Sequence, residues 1–148
     1  MIKICDIIAV TNKFMQIIKE VAEKFVSWTK LKIKIHFSEK NFVVKERQIW
    51  WASIGQNVGI EQNGKNCNFE RPILILRRFN DEQFWALPIT SKVKIGKYYH
   101  AFVQNDVRYS VCLSQLRVMD KRRLLRHLGE MNEVDYLEIR KKIVEIVK

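Results

Sequence analysis

The feature that most restricts the possible folds of this chain is a run of short β-type segments between residues 47 and 119. "QIWWASI", "PILILRRF", "QFWALPIT", "YYHAFV" and "VRYSVCL" are rich in β-branched and aromatic residues, and Gly, Asn or Asp residues separate them. We expect five strands here, with "QLRVM" as a candidate sixth. Strands this short and this closely spaced indicate a small, strongly bent antiparallel sheet or barrel.

A long amphipathic helix is predicted before the strands. Between Asp6 and about Ile35, apolar residues recur at spacings of three and four, which places them on one helical stripe. The stretch "SEKNFVVKER" reads as a linker. The chain therefore divides into an N-terminal helix with its linker, residues 1–45, and a principal domain, residues 46–148.

Two helices are predicted after the strands. Arg122 to Leu128 has helical spacing and ends at Gly129. Asn132 is a good N-cap for a last helix that runs through Val147. Asp135, three positions on, completes a weak capping box. The predicted class is α+β, with a bent sheet between an N-terminal helix and C-terminal helices.

The charge of the chain indicates a polyanionic partner. Lys and Arg number 27 against 16 Asp and Glu, so the formal net charge is +11. An excess of this size favours nucleic acid before an anionic membrane. The alternative is a basic surface that is merely solvated, since charge gives binding and not chemistry.

Neither metal nor disulfide chemistry is indicated. The cysteines are Cys5, Cys67 and Cys112, and the histidines are His36, His100 and His127. No CxxC, HxH or HExxH pattern occurs, so we expect no metal site and no cofactor. A reducing cytoplasm is the expected setting, and no apolar run is long enough to span a bilayer. A nucleophilic Cys112 stays open, although a buried inert thiol is the commoner outcome in an apolar strand.

The ends of two strands carry polar groups suited to phosphate chemistry. Arg71 directly precedes Pro72, which holds it in extended geometry at the entrance of "ILIL". A guanidinium is a planar, permanently charged fork that matches phosphate. Thr90 and Ser91 follow the next strand, so adjacent strands would bring Arg71 and Thr90 to one rim, with Glu61 in the preceding loop. A surface arginine beside a core strand is the alternative.

The order of segments resembles a known family. "QIWWASIG", "GIEQNG", "RPILIL", "LPITSK" and "SQLRVMDKRRLLRHLGEMN" follow one another as in the MazF/PemK family of type II toxin–antitoxin ribonucleases. The match covers about residues 46 to 147. Each motif is weak alone, and five in the correct order are fairly specific. Residues 1–45 have no counterpart in the minimal family.

The resemblance implies a small Src-homology-3-like antiparallel barrel, a homodimer, and sequence-selective, metal-independent cleavage of single-stranded RNA by the RNA's own 2′-oxygen. By motif position, Arg71 corresponds to the catalytic arginine and Thr90 to the catalytic hydroxyl residue. Glu61 matches an acidic position near the cleft, although its loop to Arg71 is longer than is common in the family. The implied protein partner is an antitoxin with an acidic, disordered tail.

RNA-binding residues are expected around the same rim. The candidates are Lys92, Lys94, Lys97, Gln115 and Arg117. Cations that follow a phosphate chain would make affinity salt-dependent. Trp50, Trp51 or Tyr98 would stack bases. The alternative for each residue is a core or a solvating role.

Other functions remain open. A gyrase-poisoning toxin of the CcdB type has a related fold, but its members depend on a Trp-Gly-Ile ending and this chain ends "VEIVK". A non-catalytic RNA-binding or interaction module would keep the barrel without turnover. The N-terminal helix would pack on the barrel, pair with its dimer mate, or occupy the RNA groove in place of an antitoxin.

Overall fold

A computed structural model describes residues 4–148, with side chains from Ile8 onward. The helices are α1 (Ile4–His36) and α2 (Glu133–Val147), and the strands are β1 (Gln48–Ser53), β2 (Glu70–Arg78), β3 (Gln83–Thr90), β4 (Tyr99–Gln104), β5 (Val107–Cys112), β6 (Arg117–Asp120) and β7 (Leu124–Glu130). Two 3₁₀ turns, Leu113–Gln115 and Lys121–Arg123, flank β6. Within the described range, no helix is long and apolar enough to cross a membrane.

The strands form one curled antiparallel sheet in the order β4-β5-β3-β2-β1-β7. Strand β3 divides its pairing, because its first half, Gln83–Ala86, pairs with β6 while Ile89 and Thr90 pair with β5. One strand shared between two partners bends the sheet into a half-barrel. The predicted α+β class and small antiparallel barrel are confirmed.

The uninterrupted aliphatic run of β2 is explained by burial on both faces of the sheet. Ile73 and Ile75 pack into the cluster around Phe84. Leu74 and Leu76 alternate with them and pack into the second cluster, which α2 covers. A strand enclosed on both faces has no solvent-facing positions, so it reads as continuous apolar sequence instead of an alternation.

The helix predicted from Arg122 to Leu128 is wrong, because most of this segment forms strand β7. Its leucine and arginine content favours helix locally. Strand β1 would otherwise present an open edge, and β7 covers it, with Arg126 opposite Trp51 and His127 opposite Trp50. Two register irregularities break the alternation of β7, so no strand period is visible in the sequence. The chain therefore has one C-terminal helix, which begins after Asn132 as predicted.

The N-cap of α2 has the predicted chemistry. The Asn132 side-chain oxygen accepts a hydrogen bond from the Asp135 backbone N–H at 2.9 Å. The Asn132 amide also contacts the Asp135 carboxylate. That carboxylate lies 2.7 Å from the Nε2 atom of His100 on β4. The cap therefore ties the start of α2 to the sheet.

Helix α1 is docked along only its C-terminal half. Trp28 is buried, with its ring centroid 5.6 Å from that of Phe69 and the Arg123 guanidinium 5.4 Å above it. Arg122 donates a 2.8 Å hydrogen bond to the His36 carbonyl and holds the end of the helix. Val10 and the other large apolar side chains described between Ile8 and Val21 are exposed. The predicted helix is present, and its apolar stripe is covered over half its length.

An ion pair between the buried Glu70 carboxylate and the exposed Arg126 guanidinium links β2 to β7 and makes stability depend on pH. Both Glu70 carboxylate oxygens accept 3.0 Å hydrogen bonds from Arg126, whose guanidinium stacks 4.6 Å from the centre of the Trp51 ring. The hydrogen bond from Arg126 lowers the pKa of Glu70 below its ordinary value of 4.5. A folded-state pKa below the unfolded one contributes stability above pH 4.5, and this stability is lost as the pH falls through the folded value.

We therefore expect Glu70→Gln to flatten the acid dependence of stability. The variant is less stable at neutral pH, because Arg126 loses its charged partner, but it loses less additional stability below pH 4.5. Urea unfolding across this range measures the effect. The exposed Glu138→Gln serves as control and should follow the unmodified chain; equal slopes for all three proteins would contradict the prediction.

Candidate functional site

Arg71 and Thr90 lie at neighbouring ends of β2 and β3. Ile73 pairs with Pro88, and the same antiparallel register continued by two residues sets Arg71 opposite Thr90. The Nη1 atom of Arg71 donates to the Ile89 carbonyl at 3.4 Å, which shows that the two strands remain adjacent here. Thr90 is nearly buried, and its hydroxyl oxygen accepts a 3.3 Å hydrogen bond from the Lys92 backbone.

The guanidinium of Arg71 is half-buried in a positively charged environment. Burial lowers its pKa, and the positive charge of Arg117 lowers it further. Arginine keeps its proton in proteins despite such shifts. A charged fork that is partly removed from water, with a like charge nearby, is stabilised when an anion binds.

Arg117 and Gln115 form the second part of the site. Arg117 begins β6, and its Nη2 atom donates to the Gln62 carbonyl at 3.0 Å and to the Gln115 side-chain oxygen at 3.3 Å. The same Gln115 oxygen accepts from the Gln62 N–H at 3.1 Å. Burial lowers the pKa of Arg117, and the negative charge of Glu61 opposes this. Glu61 is exposed, and its negative charge interacts with the positive charge of Arg117.

The loop between β1 and β2, residues 54–69, holds both arginines through its backbone. Arg71 donates from Nε to the Asn63 carbonyl at 2.8 Å, one residue after the carbonyl that Arg117 contacts. The Asn57 side chain donates to the Gln62 carbonyl at 2.7 Å, and the Asn63 side chain accepts from the Asn57 N–H at 2.6 Å. Two consecutive carbonyl oxygens are thus directed at the two guanidiniums.

Sequence reasoning did not identify Asn57, Gln62 or Asn63. Their contacts are amide–backbone hydrogen bonds within a non-repeating loop, which produce no periodicity. The available signal was the concentration of asparagine in this loop, since Asn side chains stabilise turns by bonding to nearby backbone.

The three predicted lysines are not equivalent. Lys94 is held through its backbone, which donates to the Ser110 hydroxyl at 2.9 Å, and its charge reaches Cys112, as does that of Arg71. Lys97 is exposed, with its ammonium 5.5 Å from the centre of the Tyr98 ring. Lys92 is exposed directly beside Thr90. The Lys94 ammonium lies 5.1 Å from the centre of the Tyr99 ring and 3.4 Å from its hydroxyl oxygen, so Lys94 is the lysine with the most contacts.

The aromatic candidates also differ. Trp50 is buried, stacked 4.8 Å from Phe42, and belongs to the core. Trp51 is half-buried and lines a cavity of about 270 Å³ together with Arg71 and Ser91. Tyr98 is exposed. Of these three candidates, Trp51 is therefore the one that lines a cavity with the predicted catalytic arginine.

The remaining nucleophile candidate is inert. Cys112 is buried, and burial raises the pKa of its thiol, so it stays protonated at neutral pH. Cys67 is exposed, and both are free thiols, while the side chain of Cys5 lies outside the described residues. Among the side chains that the structure describes, no group of three His, Cys, Asp or Glu residues is placed to hold a metal ion.

Known proteins share the sequence pattern and the fold of this chain. The model of the PemK-like, MazF-like toxins of type II toxin–antitoxin systems matches residues 45–147. A MazF crystal structure from Deinococcus radiodurans is 21% identical, with a TM-score of 0.58 over 72% of this chain and 98% of that one. A mycobacterial endoribonuclease solved with its cognate antitoxin is 15% identical, with a TM-score of 0.55 over 71% and 95% of the two chains.

A MazE–MazF complex from Deinococcus radiodurans gives a TM-score of 0.53 at 18% identity, over 72% of this chain and 97% of that chain. No curated protein sequence matches significantly. At these identities the structures show a shared fold, whereas the family model spans more than two thirds of the sequence. The chain therefore belongs to the PemK-like, MazF-like toxins of type II toxin–antitoxin systems.

Proposed function

We propose that this protein is a metal-independent endoribonuclease that cleaves single-stranded RNA at selected sequences by attack of the RNA's own 2′-oxygen. Toxins of this family are endoribonucleases, and the proposal extends that activity to this distant member. The observation that carries it is the convergence of two half-buried guanidiniums, Arg71 and Arg117, on one short loop segment beside Thr90.

The proposed reaction needs charge stabilisation more than an external nucleophile. The 2′-oxygen attacks phosphorus, the bond from phosphorus to the 5′-oxygen breaks, and the departing 5′-oxygen takes a proton from water. The products are a 2′,3′-cyclic phosphate and a 5′-hydroxyl end. Arg71 stabilises the negative charge that develops on the phosphoryl oxygens. Thr90 donates a hydrogen bond to one of these oxygens. The RNA carries its nucleophile in position, so orientation supplies much of the remaining acceleration.

We assign proton transfer to Glu61. Its carboxylate is exposed and interacts electrostatically with Arg117, so it lies at the margin of the charged site. It accepts a 3.4 Å hydrogen bond from the Val58 N–H, which keeps it on the loop that covers the arginines. A carboxylate in this place accepts the proton of the 2′-hydroxyl while Arg71 binds the phosphate.

RNA replaces protein contacts when it binds. Arg71 and Arg117 now satisfy their donors with the Asn63 and Gln62 carbonyls. A phosphate competes favourably for these donors, because a hydrogen bond between two charged groups is stronger than one to a neutral carbonyl. Binding therefore moves the loop, and the position of Gln62 becomes coupled to substrate.

The surrounding side chains would hold the strand on either side of the reacting phosphate. Lys92, Lys94 and Lys97 supply cations on the Thr90 side, and Gln115 lies with Arg117 on the other. Trp51, whose ring also stacks with Arg126, lines the cavity beside Arg71 and would stack a base there. Phosphate contacts of this kind make affinity fall steeply as salt rises.

The protein partners follow from the family. A mycobacterial relative is an endoribonuclease bound to its cognate antitoxin. We propose that this chain forms a homodimer and is neutralised by an antitoxin whose acidic, disordered tail folds onto the basic cleft. The net charge of +11 gives such a tail a complementary surface.

RNA cleavage in the presence of EDTA tests the proposal. We expect purified protein to cut a mixed-sequence single-stranded RNA, to leave 5′-hydroxyl ends, and to spare DNA of the same sequence, because DNA lacks the 2′-hydroxyl. End-group analysis of the fragments gives the chemistry, and fragment sequencing gives the selected sequence. RNA binding without cleavage would instead identify a non-catalytic binding module.

A further inference from the structure

From Ile8 onward, the N-terminal half of α1 presents exposed side chains, and only its last turn, at Glu20 and Glu23, borders a pocket that it shares with Cys67 and Phe69. We call residues 8–23 the overhang. Its large apolar side chains are exposed, from 40% at Val21 to 69% at Val10. The same stripe becomes buried at Trp28, where the helix meets the sheet. Sixteen helical residues extend about 24 Å, so a long apolar face projects beyond the folded body.

The spacing of this face is that of a coiled-coil seam. Val10, Phe14, Ile17 and Val21 follow one another at intervals of four, three and four, an average close to 3.5 residues. The next seam position is Lys24, which interrupts the pattern. The seam therefore ends where the overhang ends, immediately before Phe25 begins the part of the stripe that packs on the sheet. This match in length indicates that the seam serves a second helix.

The charge of the overhang indicates what it binds. The overhang contains two lysines and two glutamates, namely Lys13, Lys19, Glu20 and Glu23, and has no net charge, whereas the whole chain carries +11. Helices that lie on anionic membranes concentrate Lys and Arg on their polar face. The neutral overhang has no such excess, and it does not repel another copy of itself.

We propose that the overhang pairs with the overhang of a second copy of this chain, in antiparallel orientation. In this register Val10 meets Val21 of the second copy, and Phe14 meets its Ile17. Lys13 then lies beside Glu20 of the second copy, and symmetry repeats this ion pair on the other side. In the proposed pair, each copy buries its whole seam against the other, and two contacts between opposite charges form.

The antiparallel orientation follows from the position of the folded bodies. Each sheet domain joins α1 after residue 24, so a parallel pair would place two strongly basic bodies side by side. The antiparallel pair places them at opposite ends of the paired helices. The contacts of Lys13 with Glu20 also exist only in this orientation, because parallel pairing sets these positions beside Ile18 and Phe25. The pairing is independent of the sheet-domain homodimer and of RNA cleavage.

Disulfide trapping tests the orientation. In full-length protein carrying Cys5→Ser and Cys67→Ser, Phe14→Cys and Ile17→Cys variants are mixed and mildly oxidised. We expect the mixed disulfide between positions 14 and 17 to exceed both homodimeric disulfides. Gln16→Cys, on the polar face, is the matched control and should form little. Predominance of 17-to-17 disulfides would overturn the antiparallel register, and yields equal to the Gln16→Cys control would overturn the pairing itself.

Charge reversal tests the ion pair in the same assay. Lys13→Glu and Glu20→Lys should each lower the yield of the mixed disulfide by about tenfold, and the double variant should restore it. Positions 13 and 20 are seven residues apart, about 10 Å along one helix, so rescue cannot arise within a chain. Lys19→Glu, the same charge change on the polar face, should leave the yield unchanged. Failure of the double variant to restore the yield would overturn the register.

RNA cleavage measured on the same samples separates the two proposals. Loss of disulfide trapping with intact cleavage counts against helix pairing alone. Trapping in a protein that does not cleave RNA supports the pairing and counts only against the proposed function.

Discussion

Replacement of Arg71 by alanine is expected to reduce the rate of RNA cleavage by a factor of at least ~10²–10³, the usual loss for one group that stabilises transition-state charge. The half-buried guanidinium lies on strand β2 opposite Thr90. Arg117 does not replace it, because Arg117 lies on β6 opposite Ala86 and not at the Thr90 end of β3. The loss should fall mainly on the maximal rate under single-turnover conditions, since developing charge exists only in the transition state.

Two further variants make this expectation specific. Arg71→Lys keeps the charge but loses the planar fork, and it should recover only part of the rate. Arg77→Ala removes an exposed arginine from the other end of the same strand and should cleave normally. Thermal unfolding of each variant shows that the fold is kept. Equal activity in Arg71→Ala and Arg77→Ala would exclude Arg71 from the reaction.

The strands were predictable because their information is local. Proline fixes the backbone before "ILIL", and β-branched runs ended by turn residues define β1 to β5 closely. Antiparallel neighbours then bring residues at a strand start and a strand end together, so the proximity of Arg71 and Thr90 required only the correct pairing of β2 with β3. Both features depend on short stretches of sequence.

Features that depend on distant parts of the chain were not predictable. Strand β7 has helical spacing and becomes a strand because β1 offers it an open edge and Glu70 offers Arg126 a partner. The carbonyl contacts of Gln62 and Asn63 depend on how a loop without periodicity closes over two arginines. Strand β7 has no signal within its own segment, because partners more than fifty residues away fix it. The loop shows only its concentration of asparagine, which does not reveal how it closes.

The N-terminal helix combines both situations. The presence of the helix and its apolar stripe follow from local spacing. The point where the body of the protein begins to cover the stripe depends on the close packing of Trp28 against Gly55. A side chain at this glycine would place its Cβ 2.5 Å from the Trp28 ring, so the missing side chain allows close packing. Gly55 also accepts a 2.8 Å hydrogen bond from the Gly64 N–H, at the base of the loop that carries Gln62 and Asn63. Trp28 thus connects α1 with the candidate site.

Trp28→Ala is the second change for which we expect a large effect. Truncation of a buried tryptophan removes its contacts with Phe69 and the stacked Arg123 and leaves a cavity. The expected decrease in the free energy of unfolding is about 3–5 kcal/mol, which lowers the melting temperature by on the order of 10 °C. Urea and thermal unfolding, followed by circular dichroism, measure both values.

Trp85→Ala is the matched control, because Trp85 is 38% exposed against 6% for Trp28. We expect a smaller loss of stability, since less apolar surface is returned to water. If Trp28→Ala leaves the free energy of unfolding unchanged, α1 is not part of the cooperative unit. A large loss confined to Trp28→Ala, together with slower RNA cleavage by the folded fraction, would show that the N-terminal helix supports the loop over Arg71 and Arg117 through Gly55.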